Sequence, residues 1–170
     1  LLGGGGQESG LRSGTQPVAA IAGFGWAAQL AQQELVIESS RLSQLRDRLF
    51  DRLSGIADLT PTGPNVDDLE VERLPHHVSF CHSRLNGRRL VRAMNAAGIG
   101  ISSGSACSSG SLVPSATLLA MGYSHEQALG AIRLTLGKNT TEADIDHTAQ
   151  MLRQAIEHEE LLSRTQLQLN

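Results

Sequence analysis

The chain has 170 residues, of which 40% are hydrophobic and 18% are charged; this allows a folded core and excludes an intrinsically disordered chain. The net charge is -3 and the two signs are mixed along the sequence, which argues against a nucleic-acid partner, because such a partner needs a concentrated basic surface. No apolar run approaches the roughly 20 residues that span a bilayer, and two cysteines make no disulfide framework, so we expect a cytoplasmic protein without a membrane segment.

The first predicted element is a long helix from Val18 to about Leu53, after a glycine-rich start. Pro17 suits a first helical turn, and Gly55 is a plausible stop. The apolar stripe of the helix is clearest in its second half. It consists of Leu42, Leu45, Leu49 and Leu53. Thr60 to Asn65 contains two prolines and is predicted to be a turn-rich break.

The remainder alternates predicted strands and helices, which favours an α/β (α+β) fold. The predicted strands cover Leu74 to His82, Ile99 to Ile101 and Ala131 to Leu136, and the helices cover Gly87 to Gly98 and Pro114 to Met121. A capping box predicts the start of the last helix, which has one apolar face. The capping box is Thr141 with Asp144, and the face is Ile145, Ala149, Leu152 and Ile156.

The most informative segment is Ser102 to Ser111, which contains only Ser, Gly, Ala and Cys107. Nothing in it can build a core, so it is predicted to be a loop. A reactive thiolate needs solvent access and neighbours that stabilise negative charge, such as backbone N–H groups and hydroxyls. The alternative interpretation of this segment is a flexible linker that contains an incidental cysteine.

Two further positions are candidates for binding anions. Arg133 is charged within an apolar stretch, and its planar guanidinium suits a carboxylate; an edge-strand arginine that reaches water is the alternative. Gly10 to Thr15 precedes the long helix, where N–H groups and a hydroxyl can hold a phosphate. Ser and Thr at helix starts are, however, mostly caps.

Two other patterns carry little weight. Gly23 to Ala28 matches a loose dinucleotide-binding pattern, but it lies within the long helix and no strand precedes it. His76 to His82 contains three histidines and Cys81, yet the spacing is not that of a zinc site and strand alternation splits the side chains between two faces. Cys81 is predicted to be a packed strand thiol.

Together, these segments resemble the cysteine desulfurase family of class V aminotransferase fold, whose members depend on pyridoxal 5'-phosphate (PLP). The resembling segments, in the family's order and spacing, are Gly10 to Thr15, Ser102 to Leu112 with Pro114, Ala131 to Gly137, and Thr140 to Asp146. The resemblance implies the small C-terminal domain of the fold-type I PLP-dependent transferase architecture, after a long bridging helix. Residues 1–31 would belong to the end of the large PLP-binding domain, and residues 32–170 to the small domain with a mobile cysteine loop at 102–112.

The resemblance also implies roles for individual residues. Cys107 would be the catalytic nucleophile that becomes a persulfide while L-cysteine is converted to L-alanine. Arg133 would bind the substrate carboxylate, and Thr15 would reach the PLP phosphate of the other subunit of a homodimer. No metal is implied, and the partner would be a sulfur-acceptor or iron–sulfur scaffold protein.

The sequence departs from the family where the cofactor is anchored. The family's histidine-lysine motif, which forms the Schiff base, does not occur here, and Lys138 follows the Arg133 strand. Ser9 replaces the usual basic residue. We therefore expect the C-terminal part of a desulfurase, inactive alone. The alternatives are a cofactor-free persulfide carrier or docking module that uses Cys107, and a selenocysteine lyase, for which a shorter loop would be more suitable.

Overall fold

The computed structural model describes residues 3–64, 71–103 and 113–168. The chain divides into two compact units, Leu1–Glu38 and Ser39–Asn170. The first unit contains a short 3₁₀ turn, Gln7–Gly10. The long helix α1, Val18–Leu53, begins in the first unit and ends in the second. Among the described helices, none is long and apolar enough to cross a membrane.

The second unit contains a three-stranded sheet and four further helices. Its elements in chain order are β1 (Leu59–Pro61), β2 (His77–His82), α2 (Gly87–Ala96), α3 (Ala116–Ala120), α4 (His125–Leu129), β3 (Ala131–Thr135) and α5 (Glu142–Gln168). The strand order is β1-β2-β3, and both neighbouring pairs are antiparallel. This mixture of helices with a small sheet agrees with the predicted class.

The hydrophobic core lies on one face of the sheet. Strand alternation turns Val78 and Phe80 of β2 toward this face, together with their partners Leu134 and Ile132 of β3. The apolar stripes of three helices pack against them. These stripes are Leu45, Leu49 and Leu53 of α1, Leu90 and Met94 of α2, and Ile145, Ala149, Leu152 and Ile156 of α5. The predicted faces of α1 and α5 are thereby confirmed.

The helix ends follow the predicted signals. Gly55, Gly98 and Gly122 follow α1, α2 and α3 with φ values of 77°, 77° and 90°, a conformation that glycine adopts at low cost. At the start of α5, the N–H of Thr141 donates to Asp144 Oδ2 at 2.9 Å, and the N–H of Asp144 donates to Thr141 Oγ1 at 3.2 Å. The capping box is therefore confirmed.

Several local predictions were wrong. The predicted break after Thr60 overlaps β1, because Leu59–Pro61 pairs along the edge of the sheet, where proline is tolerated. The strand predicted at Ile99 to Ile101 is reduced to one bridge between Ser102 and Arg133. The helix predicted from Pro114 begins at Ala116, with Ser115 as its N-cap. The short helix α4 was not predicted, since five residues are too few to show a period.

Candidate functional site

The second face of the sheet is only partly covered. Helices α3 and α4 cover one end of it through a small apolar cluster. That cluster consists of Cys81, Leu118, Ala128 and Ala131. The remainder of this face, with His77, Ser79 and Arg133, opens into a cleft of about 380 Å³. The segments 62–64, 72–74 and 115–121 also contribute lining residues. The cleft is thus built from strand residues that point away from the core.

Arg133 combines a fixed backbone with an available side chain. Its position in β3 is opposite Ser79 of β2, and its side chain is exposed. The backbone N–H of Arg133 donates to the carbonyl of Ser102 at 2.8 Å, and the N–H of Ser102 donates back at 2.9 Å. Within the described ranges, the guanidinium has neither a hydrogen bond nor an ion pair. It is therefore available to an anionic group in the cleft.

Arg73 also lines the cleft, but its guanidinium is already engaged. It donates to the carbonyl oxygens of Thr62, at 2.9 Å, and Pro64. It also lies 5.0 Å from the centre of the Phe50 ring, within the range of a cation–π contact. Burial lowers the pKa of Arg73. These contacts hold Arg73 in the wall of the cleft, whereas the Arg133 guanidinium has no such contacts in the part of the chain that the structure describes.

His77 lies on the same face as Arg133, opposite Thr135. Burial lowers the pKa of His77, and the positive charges of Arg133 and Arg73 lower it further. The imidazole is therefore neutral at neutral pH. It contributes one N–H donor and one nitrogen acceptor to the cleft without adding charge.

A hydroxyl pair in the cleft was not singled out from the sequence. The Thr62 hydroxyl donates to Ser79 Oγ at 2.7 Å, and the N–H of Thr62 donates to the carbonyl of Ser79 at 2.9 Å. Single Ser and Thr residues near strands carry no distinctive signal. Only the register, which sets Ser79 opposite Arg133, could have identified Ser79.

Thr15 belongs to the first compact unit and lies just before α1. The Arg12 guanidinium donates to the carbonyl of Gly14 at 2.9 Å, and the N–H of Gly14 donates to Gln7 Oε1 at 3.3 Å. These bonds hold the turn that precedes Thr15, whose side chain is exposed. No hydrogen bond of its hydroxyl is found among the described residues. A hydroxyl donor beside a helix start fits the chemistry of a phosphate.

Cys107 lies outside the residues that the structure describes, so its role as nucleophile stays a prediction. The described chain that leads to it passes through Ser102, which pairs with Arg133. The described chain that follows it includes Ser115, which lines the cleft. The described residues that precede and follow the segment containing Cys107 are therefore both adjacent to the cleft.

Cys81 is the packed thiol that the strand pattern predicted. It is 2% exposed, and burial raises its pKa to about 11. The thiolate is the reactive form of cysteine, so Cys81 is poorly suited to nucleophilic chemistry at neutral pH.

Comparison with known proteins gives consistent results. Residues 4–148 match the family model described as aminotransferase class-V. The chain is 43% identical over 154 residues to cysteine desulfurase IscS 1 of Archaeoglobus fulgidus, an alignment that covers 91% of this chain and 39% of that protein. It is 40% identical over 163 residues to cysteine desulfurase IscS of Haemophilus influenzae strain PittEE, covering 96% of this chain and 39% of the relative.

The fold is also similar to solved structures. A NifS-like protein superimposes with a TM-score of 0.76 and 31% sequence identity, covering 93% of this chain and 39% of the other. This similarity confirms the predicted architecture, including the long helix near the N-terminus. The chain spans about two fifths of the length of the curated relatives described above.

Proposed function

This chain belongs to the class-V aminotransferase family, and on that basis we propose that it is part of a PLP-dependent cysteine desulfurase in which Cys107 accepts the sulfur. Two of the relatives described above are named cysteine desulfurases. The enzyme would convert L-cysteine to L-alanine in the cytoplasm. It would then pass the sulfur to an acceptor protein, such as an iron–sulfur scaffold.

The observation that carries this proposal is the connection between Arg133 and the segment that contains Cys107. The guanidinium of Arg133, which has no partner among the described residues, lines an open cleft, and two backbone hydrogen bonds join Arg133 to Ser102. Cys107 is five positions after Ser102, and five steps of fully extended chain span at most about 18 Å. A substrate whose carboxylate is bound by Arg133 is therefore within the chain's reach of the Cys107 thiol.

The residues of this chain would perform two tasks. Arg133 would orient L-cysteine through its carboxylate, and the thiolate of Cys107 would attack the substrate sulfur. A sulfur–sulfur bond forms as the carbon–sulfur bond breaks, and the carbon receives the electron pair and a proton to give L-alanine. When bound, PLP withdraws electrons from the α-carbon of the substrate. The net products are L-alanine and a persulfide on Cys107.

The residues present fit only part of the PLP site. The exposed hydroxyl of Thr15 suits the cofactor phosphate, which we propose belongs to the other subunit of a homodimer. The covalent anchor does not fit this chain, because its single lysine, Lys138, is not in a histidine-lysine pair. We therefore propose that the anchor lies outside this sequence and that the chain alone is inactive.

Exposed apolar side chains on α1 support an assembly larger than this chain. Phe24 and Trp26 are 78% and 63% exposed, and several aliphatic neighbours on the helix are also exposed. Clusters of exposed apolar side chains commonly mark contact surfaces. We propose that this first part of α1 belongs with the large domain of the enzyme.

The test uses the complete polypeptide that contains this chain, purified with PLP. The wild type should release L-alanine from L-cysteine, and its intact mass should increase by one sulfur atom per subunit. Cys107→Ala should abolish both results, because the acceptor thiol is absent. The matched variant Cys81→Ala should retain both, because that thiol is buried and outside the proposed chemistry.

Other outcomes would support the alternatives instead. Sulfur uptake on Cys107 from a persulfide donor, without PLP and without alanine formation, would indicate a carrier module. Release of selenide from selenocysteine at an undiminished rate in Cys107→Ala would indicate a selenocysteine lyase. Either outcome would contradict the desulfurase proposal.

A further inference from the structure

The cleft beside Arg133 contains a second donor that no sequence motif indicates. Ser79 of β2 and Arg133 of β3 are direct partners in the antiparallel register. Residues in such a pair point to the same face, with their Cβ atoms about 4.5–5.5 Å apart. Both side chains line the same cleft. The Ser79 hydroxyl and the Arg133 side chain therefore open into the same space.

The hydrogen bonds of Ser79 leave its proton available. Its Oγ accepts a hydrogen bond of 2.7 Å from the hydroxyl of the buried residue Thr62. A serine hydroxyl has one donor and two acceptor sites, so this bond occupies an acceptor site only. In the part of the chain that the structure describes, no acceptor receives the Ser79 proton. Thr62 thus orients the hydroxyl and leaves its donor for a ligand.

The charges around the cleft favour an anionic acceptor. The guanidinium of Arg133 has no partner within the described ranges, and His77 is neutral at neutral pH because burial lowers its pKa. Glu72 is the one carboxylate among the described lining residues, and it is exposed. An α-carboxylate has about four acceptor sites, of which a bidentate arginine occupies two. Sites therefore remain for a hydroxyl.

We propose that Ser79 is a substrate-binding residue that donates its hydroxyl proton to the α-carboxylate held by Arg133, with Thr62 as the residue that positions it. This role rests on the proposed desulfurase function. The Ser79 hydroxyl is a neutral hydrogen-bond donor beside the arginine. It helps to select a carboxylate without contributing charge. Since the hydroxyl contacts the carboxylate, whose own bonds do not change in the reaction, it should affect substrate binding more than turnover.

The experiment compares Ser79→Ala, Ser79→Thr and Thr60→Val in the complete polypeptide with PLP bound. Ser79→Ala should raise the KM for L-cysteine about tenfold, the effect of a hydrogen bond to a charged group, with little change in kcat. Ser79→Thr keeps a hydroxyl and should restore the KM. Thr60→Val removes a hydroxyl from the same sheet outside the cleft and should leave the KM unchanged.

A second readout separates carboxylate recognition from a structural effect. Cysteamine is L-cysteine without its carboxylate, and its inhibition constant should be the same for the wild type and Ser79→Ala. Thermal unfolding of each variant identifies any general loss of folding. Two results would overturn the role of Ser79. One is that Ser79→Ala raises the inhibition constant of cysteamine by the same factor as the KM for L-cysteine. The other is that the KM values of Ser79→Ala and the wild type are equal.

The two proposals fail in different ways. A wild-type protein that does not convert L-cysteine overturns the desulfurase function and, with it, this inference. An active wild type whose KM is insensitive to Ser79→Ala overturns the inference alone. An active wild type with equal KM increases in Ser79→Ala and Ser79→Thr shows that the hydroxyl is not the recognised group.

Discussion

Burial controls the chemistry of the Cys81 thiol. Cys81 alternates onto the sheet face that α3 and α4 cover, and only 2% of it is exposed. Removing a thiolate from water is unfavourable, and burial accordingly raises the Cys81 pKa to about 11. The thiol is therefore protonated at neutral pH and shielded from reagents.

This environment predicts selective alkylation in the native protein. Iodoacetamide at neutral pH should modify Cys107 and leave Cys81 unmodified, because alkylation requires an accessible thiolate. Peptide mass spectrometry before and after denaturation measures both sites. Both cysteines should react once the protein is unfolded. Native-state modification of Cys81 as fast as in the unfolded chain would contradict the buried position.

At the level of elements, one carboxylate joins the two long helices of the second unit. Asp146 of α5 accepts hydrogen bonds from Arg48 of α1, at 3.0 and 2.7 Å, and from Arg52 of α1, at 3.0 Å. The two hydrogen bonds from Arg48, followed by the one from Arg52, lower the pKa of Asp146. The group is partly exposed, so solvent screens this contribution to stability.

The pKa shift predicts an acid-sensitive contact between α1 and α5. A carboxylate whose pKa is lowered by folding contributes stability above its unfolded pKa, about 4, and loses it as the pH falls through the folded value. The unfolding free energy of the wild type should therefore exceed that of Asp146→Asn near neutral pH, and the two should converge below about pH 4. Urea denaturation over a pH series measures this difference. A constant difference at all pH values would contradict it.

Local elements could be predicted where the physical cause lies within a few residues. The stripes of α1 and α5, the glycines that follow helices and the capping box of Thr141 and Asp144 all depend on short sequence spacings. Strand β1 could not be recognised, because pairing with β2 outweighs the weak propensity of Leu59–Pro61. The strand expected near Ile101 is present only as a single bridge between Ser102 and Arg133.

At the scale of the whole molecule, the core of the second unit should dominate stability. Leu152 of α5 is fully buried in the main cluster, whereas Leu161 of the same helix is 63% exposed. Removal of a buried leucine side chain loses its transfer free energy and leaves a cavity. Substitution of leucine by alanine can therefore be compared at a buried and at an exposed position of the same helix.

The corresponding prediction compares Leu152→Ala with Leu161→Ala. The first should reduce the free energy of unfolding by about 2–5 kcal/mol. The second should change it by less than about 0.5 kcal/mol, as at most surface positions. Chemical denaturation followed by circular dichroism measures both values. Similar losses for the two variants would show that the α5 face containing Leu152 does not form the core.

Periodicity and capping are local properties, so the sequence was enough to predict the mixed fold class and the main helices. The roles of Cys107, Arg133 and Thr15 follow from the resemblance of their segments to the cysteine desulfurase family and stay predictions. The folded chain was needed to show that Arg133 lies in an open cleft opposite Ser79, with Thr62 bonded to the serine hydroxyl. This arrangement depends on strand pairing. The register between β2 and β3 joins residues that are fifty or more positions apart, and no local pattern in either strand specifies which residues will face each other.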